Sequence, residues 1–332
     1  ALYGKELENS ATELERFAAC AFAHFLQYGL KIEERQEYEF RQADLGNVIH
    51  QALEQFSRNL KKNRLTWRSL TDQERDQLID TSVEETIHDY GNTILESSAR
   101  NQYMILRVKR ILRRTVWALQ QQLKAGKYEP SRFEISFSME EDLKASNFQL
   151  SEDERLRLRG RIDRVDRYEE DDTIYVKVID YKSGNTALDL TSVYHGLQLQ
   201  LIVYLNAALE LEEKNHPGKH AEPAGMFYYH VKDPLVDGKP GDEEEEIERK
   251  LLEKLKVDGL VRAEEKILKD LDRELEAGKK SLVIPAAYNK NGSLSSRSKT
   301  ASKEQFEELC KTHKVIIVAP HFVGLDAGGV AM

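Results

Sequence analysis

Hydrophobic residues in the first third of the chain recur at the three- and four-residue spacing of amphipathic helices. Ser10 and Glu13 match a capping box, and the apolar run behind them predicts a helix that Gly29 closes. The same spacing predicts further helices from about residue 44, over about 72–89 and over about 95–124. The front of the chain is therefore predicted to be helical.

Beyond residue 130 the pattern changes to the alternation that is typical of strands. Strands are predicted in FEISFSM, RLRGRIDRVDRY, TIYVKVIDYKS and AGMFYYHV. A helix from about Val193 to Glu210 precedes the last strand, and the acidic run DEEEEIERK opens a charged helix after it. Helices on both sides of a group of strands predict an α/β fold with a mixed sheet flanked by helices.

The polar run EEDD joins two of these strands and predicts a β-hairpin. With the turn centred on its aspartates, Val165 lies opposite Val178 and Asp163 lies opposite Asp180. Lys182 shares the face of both aspartates, because side chains alternate along a strand. Two carboxylates about 5 Å apart repel by roughly 3 kcal/mol at an effective dielectric near 20. Since oxygen ligands suit Mg²⁺ or Mn²⁺, this face is a candidate metal site beside which Lys182 would orient a water.

A second interpretation of the hairpin is that its charges only face solvent. Acid-rich and lysine-rich hairpins are common on protein surfaces, so Asp163, Asp166, Lys177 and Lys182 would then form a solvated face. The hairpin alone leaves both interpretations open.

Composition limits the function classes. The chain has 332 residues, 32% of them charged, and a net charge of -9, which argues against a passive DNA coat but allows a metal enzyme with local basic surfaces. No run of about 18 apolar residues predicts a membrane span. Two cysteines make no disulfide framework, which favours a reduced, cytoplasmic setting. The opening ALYGKELENS has no initiating Met and no signal core, so we interpret the chain as a piece of a longer protein.

The motifs GRIDRVD and DYKSG resemble the two central motifs of the PD-(D/E)XK nucleases, in their RecB-like branch. GNVIH, FEISF and QLIVY fall in the order expected for that branch. The resemblance implies a restriction-endonuclease-like fold, a mixed central sheet flanked by helices, with a helical N-terminal section. It implies catalytic roles for Glu134, Asp163, Asp180, Lys182, Gln200 and Tyr204, and Mg²⁺ or Mn²⁺ ligation by His50, Asp163, Asp180 and the backbone carbonyl of Tyr181.

Three further segments, ATELERFAACAFAHFLQYGLKI, AGMFYYHVKDPLV and LVIPAAYNKNGSLSSRSKTAS, are similar to AddB-type subunits, the partners of AddA in double-strand-break processing. This similarity implies a nuclease that cuts single DNA strands delivered by an ATP-driven, AddA-like helicase–nuclease subunit, in recombinational repair in the cytoplasm. The expected division is a lead-in helix and linker over 1–42, a nuclease core over 43–235, a charged helical section over 236–310, and an atypical truncated tail over 311–332.

The family also implies a 4Fe–4S cluster, with one cysteine before the nuclease core and three near the C-terminus. Cys20 stands where the first cysteine is expected, whereas the C-terminal group is absent and Cys310 is no convincing substitute. We therefore expect a cluster in the full-length parent and an incomplete one in this chain. Here Cys20 is predicted to be a small buried helix residue.

The long predicted helix carries a run of arginines that would neutralise a DNA backbone. They are Arg107, Arg110, Arg113 and Arg114, and a solvated helix face is the alternative. No P-loop pattern occurs in the sequence, so this chain is predicted to have no ATP site of the P-loop type. Two other functions stay open: a non-cleaving module that grips DNA or a partner subunit, and a stand-alone RecB-like exonuclease.

Overall fold

The computed structural model describes residues 6–32, 42–89, 99–137, 143, 147–149, 155–238, 241 and 243–311. The helices are α1 Ala11–Ala19, α2 Ala21–His24, α3 Gln42–Lys62, α4 Asp72–Asp89, α5 Ala99–Ala125, α6 Leu190–Tyr194, α7 Gln200–Asn215, α8 Glu244–Leu255, α9 Glu265–Leu271 and α10 over 303–311. The strands are β1 Glu6–Ser10, β2 Glu129–Ser136, β3 Asn147–Gln149, β4 Arg155–Arg159, β5 Arg161–Glu170, β6 Thr173–Lys182, β7 His220–His230, β8 Asp258–Arg262 and β9 Thr300–Ala301.

A mixed sheet forms the centre of the fold, as predicted. Its strand order is β2-β5-β6-β7-β8-β9. The pairs β2–β5, β5–β6 and β7–β8 are antiparallel, whereas β6–β7 and β8–β9 are parallel. The section over 236–310, predicted as helical, also supplies β8 and β9, which extend this sheet. Its short strands carry too few residues to stand out between the charged helices.

A smaller sheet of order β1-β4-β3 lies beside the N-terminal segment. The single strand predicted in RLRGRIDRVDRY is wrong, because the chain divides at Gly160 into β4 of the small sheet and β5 of the large one. A Cβ atom at Gly160 would lie 2.5 Å from the Phe137 ring, so the passage between the sheets requires glycine.

The hairpin of β5 and β6 has the predicted register. Val165 pairs with Val178, and the ladder runs from Glu170 opposite Thr173 to Arg164 opposite Ile179. Asp171, in the turn, adopts a φ of 51°, a conformation that aspartate tolerates better than most residues. The local pattern of apolar positions and turn residues was therefore sufficient to set this register.

Helices cover both faces of the large sheet. On one face α3, α4 and α5 bury an apolar core that includes Val48, Ile49 and Phe56 of α3. On the other face α7 packs into a second core with Val165, Val176 and Val178 of the hairpin. Burial of both faces explains the nearly continuous apolar runs of β6 and β7. No helix within the described ranges is long and apolar enough to cross a membrane.

The N-terminal segment differs from its prediction after α1. Ser10 and Glu13 form the expected capping box. The chain is extended at Cys20, and a short α2 and a π-helical turn over Phe25–Gly29 follow, instead of one continuous helix. Cys20 is exposed, so its prediction as a buried helix residue is wrong. The predicted start of α5 near residue 95 and the tail from residue 312 lie outside the described residues.

Candidate metal centre and active site

The predicted site residues converge where β5 and β6 meet α3 and α7. The elements contribute His50 from α3, Glu134 from β2, Asp163 from β5, Asp180, Tyr181 and Lys182 from β6, and Gln200 and Tyr204 from α7. Five elements that are separate in the sequence thus contribute side chains to one region of the fold.

His50, Glu134 and Asp163 form a group of candidate metal ligands. Each of them offers one ligand atom within 4.8 Å of the others. His50 Nδ1 lies 3.4 Å from Asp163 Oδ2 and 3.9 Å from Glu134 Oε1. The two carboxylate side chains are only 3% and 9% exposed, for Glu134 and Asp163 respectively. Such closely spaced, buried acids need compensating positive charge.

Glu134 has an unusual backbone. Its φ is 48°, in the left-handed region that a non-glycine residue rarely adopts inside a strand. Phe133 pairs with Arg164 and Ile135 with Ile162, so Glu134 stands at the position between two ladder pairs, opposite Asp163. Strain of this kind persists only where the surrounding structure enforces it, and it concentrates at functional sites.

Asp163 and Asp180 lie one residue beyond the last pair of the hairpin ladder. Continuing the register would put Tyr181 opposite Ile162. The Tyr181 amide instead donates to Asp163 Oδ2 at 2.7 Å, so the main chain of Tyr181 lies directly against this carboxylate. The ring of Tyr181 also meets the His50 ring edge-on at 6.0 Å, which ties α3 to β6.

The electrostatics of the cluster favour bound protons when no cation is present. Burial, followed by the charge of Asp163, raises the pKa of Glu134 to about 8. Burial and the same charge raise the pKa of Asp180 to about 7. Burial alone would lower the pKa of His50, but its hydrogen bond to Asp163 and the surrounding carboxylates raise it instead. The site therefore carries excess negative charge when ionised.

Asp180 is not one of the three grouped candidate ligands, but it lies close enough to Asp163 and His50 for their charges to act on it. Its side chain is 3% exposed, and Lys182 Nζ lies 2.7 Å from Oδ2. This ion pair partly compensates the charge of the buried Asp180 carboxylate.

Lys182 is held on three sides. Its ammonium donates to Gln200 Oε1 at 2.8 Å, pairs with Asp180, and lies 5.3 Å from the centre of the Tyr228 ring. Gln200 in turn donates to the Tyr204 hydroxyl at 2.9 Å, as the one-turn spacing of these residues in α7 allows. Gln200 and Tyr204 therefore reach the cluster through Lys182.

The burial of the hairpin charges contradicts the solvated-face interpretation. Asp163 is 7% exposed, Asp166 is 0% exposed and Lys177 is 7% exposed. Lys182 is the most accessible of the four, with a side chain that is 25% exposed. These charges are arranged inside the protein, not along its surface.

Sequence reasoning missed the partners that hold this site. Arg161 Nε lies 2.6 Å from Glu134 Oε2 and supplies part of the positive charge that compensates this carboxylate. Arg164, which is 1% exposed, binds Asp166 through two hydrogen bonds, and Lys177 lies 3.3 Å from the same carboxylate. The signal for this buried network was the occurrence of charged residues around the buried Ile162 and Val165 of β5.

The arginines of α5 are mostly engaged with carboxylates. Arg113 binds both oxygens of Asp80 at 2.7 Å, and Arg110 and Arg114 lie 2.6 and 3.7 Å from Asp233. Arg107 is exposed. These pairs reduce the positive charge that the helix presents, and DNA contact by α5 stays a prediction.

The cysteines do not fit a complete cluster of four thiolates, because the sequence contains only two. Cys20 is exposed at the break after α1. Cys310 packs beside the second core, and burial raises the pKa of its thiol to about 11. Across the described ranges, the candidate ligand group at His50 includes neither thiol.

Comparison with known proteins agrees with this geometry. The sequence profile of the PD-(D/E)XK nuclease superfamily matches residues 8–309. Relatives named as the B-type subunits of ATP-dependent helicase/deoxyribonucleases are similar over nearly the whole chain. That of Lachnoclostridium phytofermentans is 46% identical over 315 residues, which cover 93% of this chain and 26% of the relative. That of Alkaliphilus metalliredigens is 39% identical over 310 residues, covering 93% and 26%.

The corresponding protein of Clostridium acetobutylicum is 36% identical over 317 residues, covering 96% of this chain and 27% of the relative. The chain thus spans about a quarter of the length of these relatives. The expected similarity to B-type subunits is confirmed. With a profile match over almost all of its described length, this chain belongs to the PD-(D/E)XK nuclease superfamily, as its two hairpin motifs predicted.

Proposed function

We propose that this chain is a metal-dependent deoxyribonuclease domain that hydrolyses phosphodiester bonds of single DNA strands. The observation that carries the proposal is the group of His50, Glu134 and Asp163, with the buried ion pair of Asp180 and Lys182 beside it. A scaffold has no need for closely spaced buried acids, since each raises the cost of ionising the next.

The donor set of the cluster fits a hard divalent cation. Carboxylate oxygens suit Mg²⁺ or Mn²⁺, and the buried side chains of Glu134, Asp163 and Asp180 supply them. His50, Asp163, Asp180 and the Tyr181 carbonyl would hold the cation, with Glu134 beside them. When bound, the cation supplies positive charge against the charge that develops on the phosphate. It would also stabilise the ionised carboxylates, whose pKa values are raised in its absence.

Lys182 is placed to orient the attacking water. Its ammonium is held by Asp180 and by Gln200 Oε1, so its direction is set before substrate arrives. A preoriented cation of this kind also stabilises the negative charge of the transition state at little reorganisation cost. Gln200 binds Lys182 and is itself hydrogen-bonded to Tyr204, and both residues would also contact the DNA backbone.

The names of the relatives support a proposal for the setting of this reaction. They are named as subunits of helicase/deoxyribonucleases, so we propose that a helicase-bearing, AddA-like partner delivers unwound single strands to this site during double-strand-break repair in the cytoplasm. Arg107, with the neighbouring arginines of α5, is our candidate for contact with the strand.

Cleavage of end-labelled single-stranded DNA with Mg²⁺ tests the proposal directly. The chain would be compared with Asp180→Ala and with Asp172→Asn, a control that changes an exposed aspartate in the hairpin turn. We expect cleavage by the chain and by the control, and none by Asp180→Ala. If none of the three cuts although circular dichroism shows folded proteins, the nuclease proposal fails for this chain and the non-cleaving DNA-binding module gains ground. If Asp180→Ala cuts as well as the unmodified chain, the site assignment is wrong.

A further inference from the structure

Glu15 reaches the active site from the lead-in segment over 1–42, which was predicted to lie outside the nuclease core. It lies in α1, and its Oε1 accepts hydrogen bonds from the backbone amides of Leu199 at 2.6 Å and Gln200 at 3.0 Å. These amides open α7, which carries Gln200 and Tyr204. Glu15 and Leu199 are 184 positions apart in the sequence.

Glu15 supplies the side-chain acceptor that the start of α7 lacks. The first amides of a helix have no acceptor within the helix, and a side chain usually caps them. Leu199, the N-cap residue of α7, has an apolar side chain that makes no capping hydrogen bond. Glu15 therefore acts as the cap from another helix, and its negative charge is favourable at the positive end of the α7 dipole.

Gln200 connects this cap to the chemistry of the site. The same residue that gives its backbone amide to Glu15 holds the Lys182 ammonium with its side-chain oxygen at 2.8 Å. A shift of the first turn of α7 would move Gln200 Oε1 and release Lys182 on that side. Lys182 is also close enough for its charge to lower the pKa of Glu15, against the larger raising effect of burial.

Glu15 itself is rigidly placed. Helix α1 begins in the capping box of Ser10 and Glu13, and Glu13 pairs with Arg159 of β4 at 2.7 Å. The strand before α1 forms a parallel ladder with β4, from Glu6 opposite Arg155 to Ser10 opposite Arg159. The lead-in segment is thus joined to the nuclease core by a sheet, an ion pair and the cap.

We propose that Glu15 is a positioning residue for the active site. By capping α7, it fixes the position from which the side chain of Gln200 binds the Lys182 ammonium. The lead-in segment then helps to position the active-site residues of the nuclease and is not only a linker. The proposal rests on the proposed function for its effect on cleavage, but the contact has its own structural readout.

The test compares Glu15→Ala and Glu15→Gln with Glu8→Gln, which changes an exposed carboxylate of the same segment. Both hydrogen bonds use a single oxygen, so glutamine retains the acceptor while alanine removes it. For Glu15→Ala we expect a fall of about 100-fold in kcat with little change in KM, the loss typical when a reacting group is displaced by about 1 Å. Glu15→Gln and Glu8→Gln should retain most of kcat.

The amide resonances of Leu199 and Gln200 and the side-chain resonance of Lys182 give a readout that does not depend on cleavage. In Glu15→Ala all three should shift, whereas in Glu15→Gln the Lys182 resonance should stay close to that of the unmodified chain. If the unmodified chain does not cut, the proposed function fails while these resonances still decide the role of Glu15. Unchanged Lys182 resonance and kcat in Glu15→Ala would overturn the proposal, as would equal losses in the alanine and glutamine variants.

Discussion

The raised pKa of Asp180 makes a specific prediction for the variant Asp180→Asn in the absence of divalent cations. The ordinary aspartate value of 3.8 rises to about 7 in the folded protein, because the carboxyl is buried and lies near Asp163. Between these values the folded state keeps a proton that the unfolded state has lost. The metal-free protein therefore loses stability as pH rises from about 4 to about 7, and the asparagine variant lacks this contribution.

The size of the effect follows from the shift. One pKa unit corresponds to about 1.4 kcal/mol, so from pH 5 to pH 7 Asp180→Asn should gain about 2 kcal/mol in unfolding free energy relative to the unmodified chain. For a chain of this length that equals about 3 °C in Tm. Glu134 and His50 also have raised pKa values and shift the stability of both proteins in the same direction. Because the charge of Asp180 is one cause of the raised pKa of His50, the difference between the proteins reports Asp180 together with this coupling.

Urea unfolding in EDTA at several pH values measures this difference, with Asp172→Asn, which changes an exposed aspartate of the hairpin turn, as the matched control. Mn²⁺ or Mg²⁺ should then stabilise the unmodified chain, and more strongly at pH 7.5 than at pH 5, because the cation competes with protons for the same carboxylates. A stability difference between Asp180→Asn and the unmodified chain that is constant or shrinks as pH rises would refute the electrostatic description of the site.

Three other perturbations test separate parts of the structure. Lys182→Ala should lower the cleavage rate of end-labelled single-stranded DNA by at least about 100-fold while Mn²⁺ binding, measured by calorimetry, persists; retained cleavage would remove Lys182 from the mechanism. His50→Ala should weaken Mn²⁺ binding by about tenfold or more in the same calorimetric titration, and unchanged affinity would exclude it as a ligand. Asp166→Ala should lower the unfolding free energy in urea by about 3–5 kcal/mol, because Arg164 and Lys177 stay buried without their shared partner; a loss below about 1 kcal/mol would contradict this account.

Local features of the sequence were sufficient for much of the fold. The apolar spacing of α3 predicted both its existence and the position of His50 on it, because an amphipathic helix shows its period over a few turns. The EEDD turn and the alternating valines set the hairpin register, since a slip of one residue would bury charge and expose valine. The candidate ligands Asp163 and Asp180 followed from that register and from the family motifs.

The local pattern failed where neighbours distant in the sequence decided the outcome. The run from Arg157 to Tyr168 looked like one strand, but the packing of Phe137 over Gly160 divides it between two sheets. The left-handed backbone of Glu134 is likewise absent from any local pattern, because an ordinary alternating strand would not contain it.

By itself, then, the sequence determined the long helices of the core, the hairpin and the residue types of the site, because periodicity and turn chemistry act over a few residues. Only the tertiary structure decided which charges are buried and how they are held. Burial of Asp166 and Lys177 depends on helices packing over both faces of the sheet, and the cap from Glu15 to α7 joins residues 184 positions apart. Such contacts have no local signature, since their geometry exists only after the chain has folded and brought these groups into a common low-dielectric interior.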